Sequence, residues 1–153
     1  MNRLLPLALI ALGGLLPQAS AFAHATRFAF GSPGTPSEVT RTIHVDANDA
    51  MKLVFDSRDI RQGDVVKFVV HNSGRIAHEF GIDDAAGQRE HAAMMRQMPG
   101  MVHDDPNVIA LKPGETRQLI WKFTKLRERT LIFACNVPGH YQAGMFLRLT
   151  IQP

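Results

Sequence analysis

The sequence predicts an all-β protein, an antiparallel Greek-key β-sandwich with one short helical insertion. Two observations carry that expectation. Short runs rich in Val, Ile, Phe and Thr recur from Thr40 to Ile151, each closed by Gly, Pro, Asn or Asp, which is how strands joined by tight turns read. One stretch only, residues 88–97, switches to strong helix formers and to a helical period.

The elements follow in order. Residues 40–45 alternate as a half-buried strand does, and residues 51–55 form a second, with Asp59-Ile60 a brief continuation before the turn Gln62-Gly63-Asp64. Residues 65–71 are β-branched and nearly continuous, the strongest strand signal in the chain. Asn72-Ser73-Gly74 turns the chain, and residues 77–82 return as a strand carrying His78. In the helix, His91, Met94 and Met98 fall at i, i+3 and i+7 on one expected packing face. Residues 107–111 and 116–123 are strands around Lys112-Pro113-Gly114-Glu115. Residues 129–134 and 145–151 are the last two.

Ahead of the sandwich, Met1-Asn2-Arg3 precedes an apolar run from Leu4 to Leu16 and the small-residue ending Ala21-Phe22-Ala23. That is a secretory signal peptide, with cleavage expected after Ala23, export to a bacterial periplasm and no membrane anchor left behind. Residues 1–23 are thus the signal, residues 24–38 a Gly- and Pro-rich arm pinned by Phe28 and Phe30, and residues 39–153 a single domain. Loss of Arg3 with the signal lowers the formal charge of +3 by one. The remaining basic residues are interleaved with acids, which argues against nucleic acid as a partner. The single cysteine cannot form an internal disulfide, so in an oxidising compartment it is buried or bound.

That cysteine opens the most informative stretch, Cys135-Asn136-Val137-Pro138-Gly139-His140-Tyr141-Gln142-Ala143-Gly144-Met145. A thiolate, an imidazole and a thioether follow one another at equal spacing. One Cys and His ligands with a weak axial Met make a donor set for copper in both Cu(I) and Cu(II) states. Pro138-Gly139 turns the chain out of a strand, and Gly144 is read as allowing backbone to pass a bulky neighbour. The bland alternative is a buried free cysteine beside ordinary loop residues.

Cys-x4-His-x4-Met after the penultimate strand resembles the cupredoxins, the small blue-copper proteins, with spacing closer to rusticyanin and auracyanin than to plastocyanin. The likeness extends upstream through residues 65–82 and covers most of residues 39–152. It implies a single type 1 copper centre with His78 as the remaining ligand beside Cys135, His140 and Met145. It also implies electron entry through an apolar edge formed by Val137, Pro138 and Tyr141 around His140, where a periplasmic redox partner docks on a monomer. The chain departs from the family in carrying Glu79 directly after the first His, where many members have Asn. Glu79 is left either a hydrogen-bonding role beside the site or an oxygen to offer the metal, and Asn136 is the other residue placed to support the ligands. His44 and His71 lie in strands and are not expected to bind metal.

Residues 91–103 hold four of the six methionines that follow Met1, with His91 and His103 at the ends. Met94, Met95, Met98 and Met101 with the two His suit a second, Cu(I)-binding site, with free Cu(I) as a partner. The favoured reading is the plainer one, packing of the helix against the sandwich, since Met fills irregular gaps. His24, as a new N-terminus, offers an amine and an imidazole to Cu(II) in the manner of histidine-brace proteins. The combination of Glu90-His91, Met94-Met95, His103-Asp104-Asp105-Pro106-Asn107 and the Cys–His–Met loop resembles periplasmic cupredoxins linked to copper tolerance, which implies one-electron chemistry in copper homeostasis. The alternative is a soluble electron carrier of a respiratory chain with no part in tolerance. Enzymatic activity is not expected: no His-x-His pair occurs, and no catalytic carboxylate pair or Ser–His–Asp spacing stands out.

Overall fold

The computed structural model describes residues 28–98, 105–124 and 126–153. Among these residues nine strands form two sheets. They are β1 (Ser32–Pro33), β2 (Arg41–Asn48), β3 (Lys52–Phe55), β4 (Val65–Asn72), β5 (His78–Asp83), β6 (Val108–Leu111), β7 (Thr116–Lys122), β8 (Thr130–Ala134) and β9 (Phe146–Thr150). One sheet has the order β1-β7-β4-β2-β3 and the other β6-β5-β8-β9. Among the described residues the one α-helix, α1 (Ala85–Gln97), follows β5, and a 3-10 turn (Pro36–Glu38) precedes β2.

The expected β-sandwich with one helical insertion is what forms, with one difference in pairing. β2 and β4 run parallel, from Arg41 opposite Val66 to Ala47 opposite Asn72. β3 folds back on the outer edge of β2, so the chain crosses over before β4 adds to the other side of β2. Alternation along a strand says which face is buried and nothing about the direction of its neighbour. Asp59-Ile60 forms no strand. Ile60 is nevertheless fully buried, and its carbonyl accepts from Gln152 N–H.

The core is aromatic at its centre. Phe68 of β4 packs against Phe80 of β5 and Phe133 of β8, with ring centroids at 5.3 and 5.6 Å, so one side chain joins the two sheets. From Phe28 onward the arm is held by aromatic packing. Phe30 stacks on Trp121 and Phe28 meets the same indole edge-on, and Trp121 Nε1–H donates to the Phe30 carbonyl at 3.1 Å. β1 then pairs with β7. Phe28 and Phe30 therefore pin the arm as expected, and a short strand finishes the attachment.

α1 begins at Asp84, whose carboxylate accepts from the backbone N–H groups of Ala86 and Gly87 at 2.9 and 2.8 Å, satisfying donors the first turn leaves open. The buried face is not the expected one. Gln88, His91 and Met95 are buried, whereas Met94 is half-buried and Met98 exposed. The helix is rotated because polar partners on the sheet, Asn136 and Asp83, meet Gln88 and His91. An apolar period cannot register such contacts.

Candidate metal centre

Three ligand-bearing side chains converge at one end of the sandwich. His78 opens β5, Cys135 directly follows β8, and His140 sits in the loop between β8 and β9. His78 Nδ1 lies 3.2 Å from His140 Nδ1, and Cys135 Sγ lies 3.3 Å from His140 Nδ1 and 4.0 Å from His78 Nδ1. Among the described residues this is the one group of three or more His, Cys, Asp or Glu side chains whose ligand atoms all lie within 4.8 Å of one another.

The loop is built by its own backbone. Cys135 N–H donates to the Met145 carbonyl at 3.1 Å, and Met145 N–H donates to the His140 carbonyl at 3.0 Å. Residues 135, 140 and 145 are therefore tied to one another, and Met145 is fully buried beside the core. Gly139 and Gly144 take φ of 91° and 96°, left-handed backbone that costs a side chain energy. For Gly144 this replaces the crowding expected from sequence, since an added Cβ would meet only Lys52 Nζ at 4.0 Å.

His78 is held from behind. Asn72, fully buried at the end of β4, donates through Nδ2 to the carbonyls of Ile76 and Leu111 and accepts at Oδ1 from Gly74 N–H. That fixes the turn delivering His78. The Nε2 side of the ring faces Asp49, whose Oδ1 is 3.4 Å away, while Oδ2 accepts from Arg75 N–H at 2.9 Å. A carboxylate behind a ligating imidazole orients the ring and raises its basicity. Asp49 and Asn72 act across long sequence separations. Asn72 had no signal beyond its place in a turn, and Asp49 had none.

Glu79 is resolved by the geometry. Its backbone N–H donates to Cys135 Sγ at 3.2 Å. Its carboxylate points away from the three-residue group, with Oε2 3.8 Å from His91 Nε2. Glu79 thus supports the sulfur with its backbone and its side chain lies apart from the ligand atoms.

The electrostatics suit a soft cation. Burial lowers the pKa of His78, opposed in part by Asp49, and burial with the neighbouring His78 lowers that of His140. Both rings are neutral at neutral pH and present lone pairs. Burial pushes the Cys135 thiol up to about 12, so the metal-free protein holds a protonated sulfur that a cation must deprotonate to bind. Copper loading between pH 7 and 8 should therefore release about one proton per metal, measurable in weakly buffered solution with a pH indicator; release of none would mean that the thiol does not bind.

The remaining sequence candidates fall elsewhere. His44 and His71 are exposed on strand faces and bond to Asp56 and Thr116. His91 is buried against Asn136, Asp83 and Glu79, Met95 is buried, Met94 is half-buried, and Met98, which caps α1, is exposed. Met101, His103 and His24 lie outside the described residues. Tyr141 stacks on Phe146 at 4.7 Å beside His140, and Phe146, which had not been singled out, is 40% exposed.

Two packed sheets with a His–Cys–His group at one end, closed by a loop from Cys to Met, define a cupredoxin. Solved structures agree on the fold. Auracyanin B matches with a TM-score of 0.59 at 22% identity, over 80% of this chain and 96% of its own. The auracyanin of Roseiflexus castenholzii matches with a TM-score of 0.58 at 20% identity, over 75% of this chain and 99% of its own. In sequence, the chain is 37% identical to the copper-resistant cuproprotein CopI of Pseudomonas aeruginosa, over 99% of this chain and 98% of that protein. It is 42% identical to CopI of Vibrio cholerae, over 75% of this chain and 68% of that protein. The chain belongs to the CopI family of cupredoxins. No family model matches it.

Proposed function

We propose that this protein is a periplasmic, mononuclear copper protein that passes single electrons in the service of copper tolerance, as a carrier and not an enzyme. The observation that carries the reading is the convergence of His78, Cys135 and His140 ligand atoms within 4.8 Å, with Met145 buried and tied to His140. Copper, when bound, supplies a one-electron couple that a thiolate and imidazoles hold in both states. Cys135 would supply the sulfur, His78 and His140 the nitrogens, and Met145 a weaker thioether donor. The Glu79 N–H donates to the sulfur and favours its deprotonated form.

Rigid placement of these side chains lowers the rearrangement that accompanies each change of charge. Cys135 and Met145 are fully buried while His140 is half-buried, so electrons exchange at the His140 edge. Pro138 and Tyr141 flank it in the loop, Phe146 stacks on Tyr141, and this edge suits brief docking of a redox partner on a monomer. The N-terminal signal supports export, and the copper-resistance names of the relatives support tolerance as the setting.

Deletion and complementation test the setting. Cells lacking the gene should become copper-sensitive and regain tolerance with the wild-type gene. Unchanged tolerance, together with a slowed periplasmic electron-transfer reaction, would make the protein a general carrier instead.

A further inference from the structure

We propose that α1 is a positioning element for the copper centre, acting through Gln88 and His91 on Asn136 and so on the backbone that carries Cys135. The inference rests on the copper reading of the site and extends it to residues outside the ligand set.

The helix docks in an unusual way. Of its 13 residues, only Gln88, His91 and Met95 are buried, and two of those three are polar. A buried amide without partners costs about 1–3 kcal/mol, so polar docking persists only where its bonds are met. Here Asn136 meets both polar side chains, and Asp83 and Glu79 lie against His91 as well. Gln88 Nε2 donates to Asn136 Oδ1 at 2.5 Å, and Asn136 Nδ2 donates back to Gln88 Oε1 at 3.3 Å. Asn136 Nδ2 also lies 3.2 Å from His91 Nδ1. Both ends of the Asn136 amide are engaged from the helix, which fixes the side chain in position and orientation.

The place of Asn136 in the chain gives the clamp its reach. It directly follows Cys135 and precedes the turn in which His140 N–H donates to the Val137 carbonyl. Successive residues of an extended chain point to opposite faces. His78 and Cys135 point to the metal side, and Glu79 and Asn136 point to the side covered by α1. His91 lies near both of these, with Nε2 3.8 Å from Glu79 Oε2. A single turn of helix therefore contacts the residue after each of two ligands, and Glu79 is also the residue whose N–H meets the sulfur. An apolar helix face would have covered the sheet as well, but without gripping these two positions.

The test compares Gln88→Met, which removes the amide and keeps the length, with Arg89→Ala on the exposed face of the same helix. Groups behind metal ligands commonly change affinity by about 10–100-fold. Gln88→Met should therefore change the ratio of Cu(II) to Cu(I) affinity by about tenfold, read as a shift of about 59 mV in reduction potential, and alter the visible spectrum. In the metal-free protein, iodoacetamide should alkylate Cys135 about tenfold faster than in wild type, beyond any rise explained by the global stability measured in urea. Arg89→Ala should change neither. Gln88→Glu, which keeps the length and an acceptor, should fall between. If Gln88→Met and Gln88→Glu lower stability but leave potential, spectrum and alkylation rate at wild-type values, α1 is a structural cover only and the proposal is overturned. A wild type without any thiolate–copper band would instead remove the copper reading, and the alkylation rates would still decide whether α1 holds Cys135.

Discussion

Replacing Cys135 with Ser should abolish the intense visible absorption of the Cu(II) protein while leaving a folded domain. Cys135 is fully buried and its sulfur accepts the Glu79 N–H at 3.2 Å. A serine hydroxyl is slightly smaller and accepts the same bond, so the stability cost is about 1 kcal/mol. The chemical cost is far larger. A hydroxyl is not deprotonated at neutral pH as a metal-bound thiol is, so the donor that gives the centre its charge-transfer band and its hold on Cu(I) is gone. Far-UV circular dichroism should match wild type, the visible band should vanish, and the variant gene should fail to restore copper tolerance. A Cys135→Ser protein that kept its colour would place the copper elsewhere.

Phe68→Ala should produce the largest loss of stability. Phe68 is fully buried between the sheets and touches Phe80, Phe123 and Phe133. Truncation removes the contact that joins β4 to β5 and β8, and the surrounding rings are too rigid to close the gap. The expected loss is about 3–5 kcal/mol, read from urea unfolding of the metal-free protein. Copper should recover part of it, because a ligand that binds only the folded state stabilises that state. A loss below about 1 kcal/mol would mean that the aromatic cluster is not the centre of the core.

The candidate ligands were legible because three of them lie within 11 residues, and a cysteine, a histidine and a methionine at equal steps have few other uses. His78 came with them by resemblance and opens a strand as expected. The strands were legible from β-branched runs, which report burial directly. The direction of β4 beside β2 was not, because alternation carries no information on direction. The packing face of α1 was misjudged for a related reason. Periodicity locates apolar stripes, and this helix docks through Gln88 and His91 onto Asn136, residues about 45 positions away. Asp49 behind His78 escaped notice on the same ground: the two are brought together only by folding.

The most direct measurement is a titration of the purified, metal-free protein with Cu(II), followed by visible absorption and metal analysis. The account predicts an intense thiolate-to-copper band that grows in proportion to added copper, saturates at one copper per chain and bleaches on reduction. Copper bound at that stoichiometry without such a band would mean that Cys135 is not a ligand and would contradict the centre assigned to His78, Cys135, His140 and Met145.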